Sequence, residues 1–339
     1  MDAPELRISV VHPDDGERRA WVTALRARLP RADVRAWAPG PNHEGARGKP
    51  DEPDGAPGDA PVRTAAAPGP HVAVGWRPPA AFFAVHPDLA AFFALGAGVD
   101  QLLALPGLPP ALTIVRLEDA GMAEQMFAYV LHEALRRQLR ADAYEAQQRT
   151  GRWRELPART AGELRVGIVG LGALGGAVAT RLAAMGYAVS GYARGERSLP
   201  GVRCRHGAAG WQPFLQDTEL LVLMAPLTPA TRGLIDAAAL AALPAGAWLV
   251  NVARAGLIEE PALLAALAAG HLAGATLDVF GTEPLPAGHA FWEHPRIRLT
   301  PHVAAQTLIE PGADQIADRI GRLLRGEPLP GRVDRQRGY

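Results

Sequence analysis

The most regular feature of this sequence is an alternation between short apolar runs and longer amphipathic stretches. Four such runs in the first third of the chain predict strands: 7–11, 33–37, 71–76 and 113–117. Between the first two runs, Trp21, Leu25 and Leu29 recur at helical spacing and predict a helix over 17–29 that stops at Pro30. Strands that alternate with helices are typical of a parallel α/β layer.

Six further apolar runs predict the strands of a second α/β region. They lie at 165–169, 187–192, 220–224, 247–252, 275–279 and 297–300. Six parallel strands with helices between them predict the doubly wound dinucleotide-binding fold, known as the Rossmann fold. A single long helix predicted over 122–148 precedes these strands and is suited to connecting two domains.

We therefore predict two domains. Residues 1–121 form one domain, and residues 308–339, which include a helix predicted at 309–324, complete it. Residues 122–307 form the dinucleotide-binding domain. The segment 41–70 interrupts the first domain, because its seven prolines and five glycines leave no apolar period. We predict that this segment is a flexible surface insertion.

Composition narrows the classes of function. The 35 basic and 35 acidic residues give no net charge, which predicts neither nucleic acid nor an anionic membrane as partner. Two charge-free stretches, 237–253 and 261–277, are each broken by turn residues, which predicts helix–turn–strand units rather than membrane spans. With no signal peptide in the first residues, we expect a cytoplasmic protein. Cys204 is the only cysteine, so we predict no intrachain disulfide and no metal site.

A glycine-rich turn follows the first strand of the second domain. It reads G-L-G-A-L-G, from Gly170 through Gly172, Ala173 and Leu174 to Gly175, and an alanine-rich helical pattern follows it. In a nucleotide-binding loop the three glycines allow the tight turn, the close approach of a pyrophosphate and the packing of the helix on the strand. A glycine-rich turn without a ligand is the alternative for this motif alone.

Three loops after predicted strands carry residues suited to catalysis: Arg254, Glu283 and His302. Because ligands bind beyond the carboxyl ends of strands in such sheets, these side chains are expected at one edge. A fixed cation, an orienting carboxylate and an acid–base group together suit hydride transfer to or from a 2-oxo acid. Taken singly, each has an ordinary alternative as a surface ion pair, a solvated acid or a polar core residue.

Residues at the same edge are expected to contact the cofactor. Besides the glycine-rich loop, they are Pro226, Val252, Ala253 and Asp278. In an NAD-type site, an acidic residue ends the second strand and binds the ribose 2′-hydroxyl. Here Ala193 occupies that place, and Arg194 and Arg197 follow it. Arginine would bind the 2′-phosphate of NADPH, which is therefore the favoured cofactor. NADH stays a weaker alternative because Glu196 could serve the hydroxyl.

A second glycine-containing turn lies in the first domain at Gly96-Ala97-Gly98. Its backbone N–H groups could form a nest for a carboxylate. On the residues alone, an ordinary turn is the simpler interpretation.

Several motifs resemble those of the D-2-hydroxyacid dehydrogenase family. They read N-V-A-R-A-G at 251–256, L-D-V-F at 277–280 followed by E-P at 283–284, and T-P-H at 300–302. The stretches at 94–100, 116–122, 331–334 and 337–339 look like the glyoxylate/hydroxypyruvate reductase A type within that family. The resemblance covers nearly the whole chain outside 41–70. It implies a flavodoxin-like α/β substrate domain beside the Rossmann domain.

The resemblance implies a role for each candidate residue. Arg254 would bind the substrate carboxylate and polarise the 2-oxo group, and His302 would give a proton to the oxygen. Glu283 would bind the far ring nitrogen of His302. The resemblance also implies that the backbone N–H groups of Ala97 and Gly98 bind the substrate carboxylate. This interpretation replaces that of an ordinary turn. Ala305 departs from the family pattern, in which many members have serine or threonine.

The predicted function is the NADPH-dependent reduction of small 2-oxo acids, glyoxylate to glycolate and hydroxypyruvate to D-glycerate. One rival is a related dehydrogenase with a larger substrate such as phosphoglycerate, and another is a nucleotide-sensing, corepressor-like scaffold. The resemblance also suggests a homodimer, with an arm at 149–159 reaching the partner.

Overall fold

The computed structural model describes residues 6–38 and 69–339. The predicted insertion at 41–70 lies outside the described residues apart from its last two. The chain divides into two compact units, Met1–Ala120 with Leu308–Tyr339 and Gly121–Thr307.

The first unit is a parallel sheet with helices packed on it. Its elements are β1 (Arg7–Val11), α1 (Asp15–Arg28), β2 (Asp33–Trp37), β3 (His71–Gly75), α2 (Ala80–Val85), β4 (Leu89–Ala94), α3 (Asp100–Leu103) and β5 (Thr113–Arg116), with the last helix of the chain, Ile309–Leu324, returning to it. The five strands have the order β2-β1-β3-β4-β5. This is the flavodoxin-like order, which confirms the fold predicted for this region.

The elements of the first unit form where the sequence supplies caps and an apolar face. The side chain of Asp14 accepts a hydrogen bond from the backbone N–H of Glu17 and begins α1. The doubled phenylalanines lie in the core as predicted, since Phe82 and Phe92 are fully buried. The returning C-terminal helix packs on α1, where Arg28 forms ion pairs with Glu310 and Asp314.

The second unit contains the glycine-rich motif and the three candidate catalytic residues. Its helices and strands are α4 (Met122–Gln138), α5 (Ala141–Arg149), β6 (Arg165–Val169), α6 (Ala173–Ala184), β7 (Ala188–Ala193), β8 (Arg203–His206), α7 (Gly207–Gln216), β9 (Leu220–Leu223), α8 (Ala237–Ala242), β10 (Ala247–Asn251), α9 (Glu260–Ala268), β11 (Leu272–Leu277) and β12 (Ile297–Leu299). With the returning helix of the first unit as α10, the elements are numbered in chain order.

The sheet of the second unit is parallel throughout, in the order β12-β11-β10-β9-β6-β7-β8. The strand order reverses beside β6, as it does in a doubly wound sheet, which confirms the predicted Rossmann fold. Alternate residues of β9 enter different cores: Leu221 and Leu223 pack on one face, Leu220 and Val222 on the other. Because both faces are covered, central strands are continuously apolar and easy to recognise in the sequence.

The prediction of six strands in this sheet was wrong, because the structure has seven. The additional strand is β8, whose sequence R-C-R-H contains no apolar run. This strand lies at the edge and pairs only with β7, so its charged side chains can reach solvent. An apolar pattern therefore could not predict it.

The single helix predicted over 122–148 was also wrong, because the structure divides it into α4 and α5. The chain turns at Arg140, which adopts a left-handed conformation with φ of 55°. Arg136 then forms ion pairs with Asp142 and Glu145 at 2.8 and 2.7 Å, which hold α5 against the end of α4. The apolar spacing continues through Leu139, so it gave no sign of the break.

Membrane insertion through a helix has no support in the part of the chain that is described. No helix within 6–38 or 69–339 has both the length and the apolar character that a membrane span requires.

Candidate active site

The glycine-rich loop connects β6 to α6 and is shaped for a close ligand. Gly170 has φ of 100°, and a Cβ there would lie 2.6 Å from the backbone nitrogen of Ala225. A Cβ on Gly175 would lie 1.9 Å from the carbonyl oxygen of Gly170, so the helix can pack here only without a side chain. A Cβ on Gly172, in contrast, would meet open space.

This geometry fits a dinucleotide. Gly172 is the N-cap of α6 and has no side chain to bind the N–H groups of the first helical turn. Those N–H groups and the positive end of the helix dipole suit a pyrophosphate. Ala173 and Leu174, which are predicted to contact the cofactor, are the first two residues of α6.

The residues predicted to select the nicotinamide follow β7, which ends at Ala193. The backbone N–H of Gly170 donates to the carbonyl of Tyr192 at 2.8 Å, so the end of β7 lies beside the glycine-rich loop. Arg194, Glu196 and Arg197 are exposed in the segment after β7. The structure thus places both arginines and the competing glutamate at the predicted position, and their contacts with a cofactor stay a prediction.

Arg254 is positioned by a buried asparagine at the end of β10. Asn251 is fully buried, and its Nδ2 donates to the carbonyl of Arg254 at 2.9 Å while its Oδ1 accepts from the N–H of Ala253 at 3.1 Å. These bonds fix the turn from which the Arg254 side chain leaves. The Arg254 guanidinium donates to the Ala253 carbonyl at 2.7 Å and is half-buried. The sequence indicates Asn251 only as the first residue of the N-V-A-R-A-G motif, and this structural role becomes visible only in the fold.

Glu283 and His302 form the pair that the resemblance implied. The Nδ1 atom of His302 lies 3.0 and 2.9 Å from the two carboxylate oxygens of Glu283. Glu283 Oε1 also accepts a hydrogen bond from the N–H of Phe280 at 3.1 Å, which fixes the carboxylate on its own loop. A carboxylate beside Nδ1 favours the tautomer with the proton there, so Nε2 remains for a ligand. The His302 side chain is 32% exposed.

Asp278 holds the segment that carries His302. Its carboxylate accepts hydrogen bonds from the hydroxyl of Thr300 at 2.6 Å and from the N–H groups of Val303 and Ala304 at 2.8 and 2.9 Å. Asp278 is 1% exposed. We predicted this residue as a cofactor contact, and such a contact would have to share oxygens that already accept three bonds. The contact stays a prediction.

Two residues of α4 are further parts of this site that the sequence did not indicate. Tyr129 and Thr300 join through their hydroxyl oxygens at 2.6 Å, although 171 residues separate them in the chain. Gln125 exchanges two hydrogen bonds with the backbone of Gln306. A helical pattern places these side chains on one face of α4, but only the fold shows what that face meets.

The other predicted cofactor contacts lie at the same edge of the sheet. Pro226 is exposed after β9, Val252 is buried directly after β10, and Ala253 is half-buried beside it. Asn251, Leu277 and Leu299 pair in register across β10, β11 and β12. The segments that carry Arg254, Glu283 and His302 therefore leave from one edge, as predicted.

The turn Gly96-Ala97-Gly98 belongs to the first unit, between β4 and α3. The carbonyl of Gly96 accepts a hydrogen bond from the N–H of Leu117 at 3.2 Å, and a Cβ on Gly96 would lie 2.5 Å from the ring of Trp76. Ala97 and Gly98 are half-buried. The chain bends at this place, and the binding of a carboxylate there stays a prediction.

Comparison with known proteins gives consistent matches. The family described as "D-isomer specific 2-hydroxyacid dehydrogenase, NAD binding domain" matches residues 130–304. The glyoxylate/hydroxypyruvate reductase A of Serratia proteamaculans is 41% identical over 324 residues, which cover 94% of this chain and 96% of that protein.

Two crystal structures match nearly the whole chain. One is a D-isomer specific 2-hydroxyacid dehydrogenase from Xanthobacter autotrophicus in complex with NADPH and MES, with 41% identity, a TM-score of 0.86 and coverage of 99% of this chain and 100% of the other. The other is an NADPH-dependent glyoxylate/hydroxypyruvate reductase from Sinorhizobium meliloti in complex with NADP and sulfate, with 34% identity, a TM-score of 0.84 and the same coverage. By its sequence, its fold and its match to the family, this chain belongs to the D-isomer specific 2-hydroxyacid dehydrogenases.

Proposed function

We propose that this protein reduces glyoxylate to glycolate and hydroxypyruvate to D-glycerate in the cytoplasm, with NADPH as the reductant. The observation that carries the proposal is the His302–Glu283 pair, with Nδ1 bound at 2.9–3.0 Å and Nε2 left for a substrate, on the sheet edge that also bears the glycine-rich loop and Arg254. The names of the relatives from Serratia and Sinorhizobium support these two substrates.

His302 completes the reduction of the carbonyl group. Bound NADPH supplies a hydride to carbon 2 of the 2-oxo acid. As the carbonyl oxygen gains the electron pair of the broken π bond, protonated His302 donates the Nε2 proton to it. Glu283 keeps its carboxylate against Nδ1 and thereby stabilises the protonated ring in the orientation that this transfer needs. The products are the hydroxy acid and the oxidised cofactor.

Arg254 orients the substrate. Its planar, positively charged guanidinium can bind a carboxylate through two parallel hydrogen bonds. Residues 1–121 and 308–339 would form the substrate domain in this proposal, with the N–H groups of Ala97 and Gly98 as further donors to the carboxylate. Such positioning can supply a large part of the rate enhancement.

The choice of substrate can be tested with steady-state rates. Glyoxylate, hydroxypyruvate, pyruvate and phenylpyruvate are each offered with NADPH and with NADH. We expect glyoxylate and hydroxypyruvate with NADPH to give the highest kcat/KM. A preference for phenylpyruvate would favour a dehydrogenase with a larger substrate. The scaffold alternative would be supported if the folded protein bound the cofactor but turned over none of the four acids.

The cofactor assignment rests on Arg194 and Arg197 after β7, and the NADPH and NADP complexes of two relatives support it. The double variant Arg194→Ala/Arg197→Ala should weaken NADPH binding much more than NADH binding, because only NADPH has the 2′-phosphate. Fluorescence titration with each cofactor measures this. As a control, Arg322→Ala/Arg325→Ala removes two arginines at the end of α10. Equal losses for both cofactors would contradict the assignment.

We further propose that the protein is a homodimer. Leu139, Tyr144 and Trp153 are 61%, 42% and 95% exposed, and no residue of α5 is buried. A second copy could cover this apolar surface, to which the segment at 149–159 contributes Trp153. Sedimentation velocity should show a dimer for the wild type and dissociation for Trp153→Ser. Met185→Ser, at a 49% exposed position elsewhere in the unit, is the control. A monomeric wild type would contradict this proposal.

A further inference from the structure

Two residues of α4 form hydrogen bonds with the segment around His302, one before and one after the histidine in the chain. Gln125 Nε2 donates to the carbonyl of Gln306 at 2.8 Å, and Gln125 Oε1 accepts from the N–H of Gln306 at 3.1 Å. Tyr129, one helical turn later, binds the hydroxyl of Thr300 at 2.6 Å. Residues four apart lie on the same face of a helix, so α4 contacts the chain on both sides of His302.

The direction of the Tyr129–Thr300 hydrogen bond follows from the neighbouring atoms. A threonine hydroxyl has one proton, and that of Thr300 is directed to the Asp278 carboxylate at 2.6 Å. Tyr129 must therefore be the donor to Thr300. Burial raises the pKa of Tyr129 to about 12, so its hydroxyl keeps the proton that it donates.

The chain of hydrogen bonds ends at the backbone next to His302. The Asp278 carboxylate accepts a hydrogen bond from the Thr300 hydroxyl, and it also accepts hydrogen bonds from the N–H groups of Val303 and Ala304. His302 itself has φ of 58°, a left-handed conformation that is unfavourable for a residue with a side chain. Such a conformation persists only where surrounding bonds hold it.

We propose that Tyr129 is a positioning residue for His302, acting through Thr300 and Asp278 on the backbone that carries the imidazole. This inference rests on the proposed function, in which His302 donates the proton. Without the Tyr129 hydroxyl, Thr300 loses its donor, and the segment can leave the conformation that aligns Nδ1 with Glu283. A displacement of this kind can slow catalysis by up to about 10²-fold, because proton transfer depends on alignment.

The test compares two tyrosine variants that lose the same atom. Tyr129→Phe removes the hydroxyl that binds Thr300, and Tyr187→Phe removes one that donates to Gln138 Oε1 at 2.8 Å in the same unit. We expect the single-turnover rate of glyoxylate reduction to fall about ten- to hundredfold in Tyr129→Phe, with KM for NADPH unchanged. Tyr187→Phe should keep the wild-type rate. In a second pair of variants, Thr300→Val should slow the reaction as Tyr129→Phe does. Thr300→Ser, which keeps the hydroxyl, should keep most of the wild-type rate.

A proton NMR measurement separates this proposal from the proposed function. The Nδ1 proton of His302, assigned by its disappearance in His302→Gln, should give a downfield signal because it is bound to a carboxylate. We expect Tyr129→Phe to broaden or shift this signal and Tyr187→Phe to leave it unchanged. An unchanged signal or an unchanged rate in Tyr129→Phe would overturn the positioning role. If the wild type reduces no 2-oxo acid, the proposed function is wrong, and the signal alone still decides the role of Tyr129.

Discussion

The His71–Asp88 pair of the first unit and the His302–Glu283 pair of the second have nearly the same hydrogen bond. Nδ1 of His71 lies 3.0 Å from a carboxylate oxygen of Asp88, and Nδ1 of His302 lies 2.9 Å from one of Glu283. The two pairs differ in what surrounds them. His71 has a side chain that is only 6% exposed, whereas that of His302 is 32% exposed.

The second ring nitrogen shows the difference most clearly. Nε2 of His71 lies 2.9 Å from the hydroxyl of Ser9, and Asp88 also forms an ion pair with Arg7 at 2.7 Å. Among the described residues, the bonds of the His302 ring are those of Nδ1 to Glu283. A histidine–carboxylate bond therefore does not identify a proton donor. In the proposed function, His302 is distinguished as the proton donor by a second ring nitrogen that no described residue binds.

The largest expected effect is at His302. His302→Ala should lower turnover of glyoxylate by about 10² to 10⁴, because a general acid contributes a factor of this size. His71→Gln, which breaks the other histidine–carboxylate pair, should lower the melting temperature but keep the turnover of the folded enzyme. Steady-state rates below the melting temperature measure both. Similar losses of turnover in the two variants would remove the distinction between the pairs.

Glu283 should have the next largest effect. Glu283→Gln keeps an oxygen near Nδ1 but removes the negative charge that stabilises the protonated ring, so kcat should fall by about 10² with little change in KM for glyoxylate. The same substitution at Glu260, which lies 3.3 Å from Nε2 of the half-buried His289, is a matched control and should leave kcat unchanged. A higher KM with an unchanged kcat would instead indicate that Glu283 binds substrate.

The smallest effect should be a change of stability at Asp88. Burial alone would raise the pKa of Asp88, but hydrogen bonds from His71 and Arg7 lower it to about 2. A lowered pKa contributes stability above the unfolded pKa of 3.8 and loses it as the pH falls through about 2. Since the Asp88 side chain is 47% exposed, solvent screening limits this contribution to about 1 kcal/mol at most.

Urea unfolding of the whole chain at several pH values measures this contribution. Asp88→Asn should be less stable than the wild type at neutral pH, and the difference should shrink as the pH falls from about 4 to about 2. Asp318→Asn, at an exposed ion pair on α10, is the control and should change the free energy of unfolding by less than about 0.5 kcal/mol. If the free energies of unfolding of wild type and Asp88→Asn differ by the same amount at every pH, the ion pair is not the cause of the difference.

The sequence predicted the regular parts of this protein well because buried parallel strands leave a strong apolar signal. The runs that became β9 and β10 are buried at every position, and both were predicted. The edge strand β8 and the break at Arg140 were missed, since charged side chains at an edge and a single left-handed residue leave no apolar pattern.

By itself, the sequence determined the family and the two α/β sheets, and it predicted the residues of the candidate active site. The glycine-rich loop and the residues Arg254, Glu283 and His302 lie in the loops that follow apolar runs, so local patterns placed them near strand ends. Only the tertiary structure decided what holds them. The bonds of Asn251 to the Arg254 turn, of Asp278 to the His302 segment and of Tyr129 to Thr300 depend on side-chain directions in the folded chain. A hydrogen bond between residues far apart in sequence has no local pattern, because distance and angle exist only once the elements are packed.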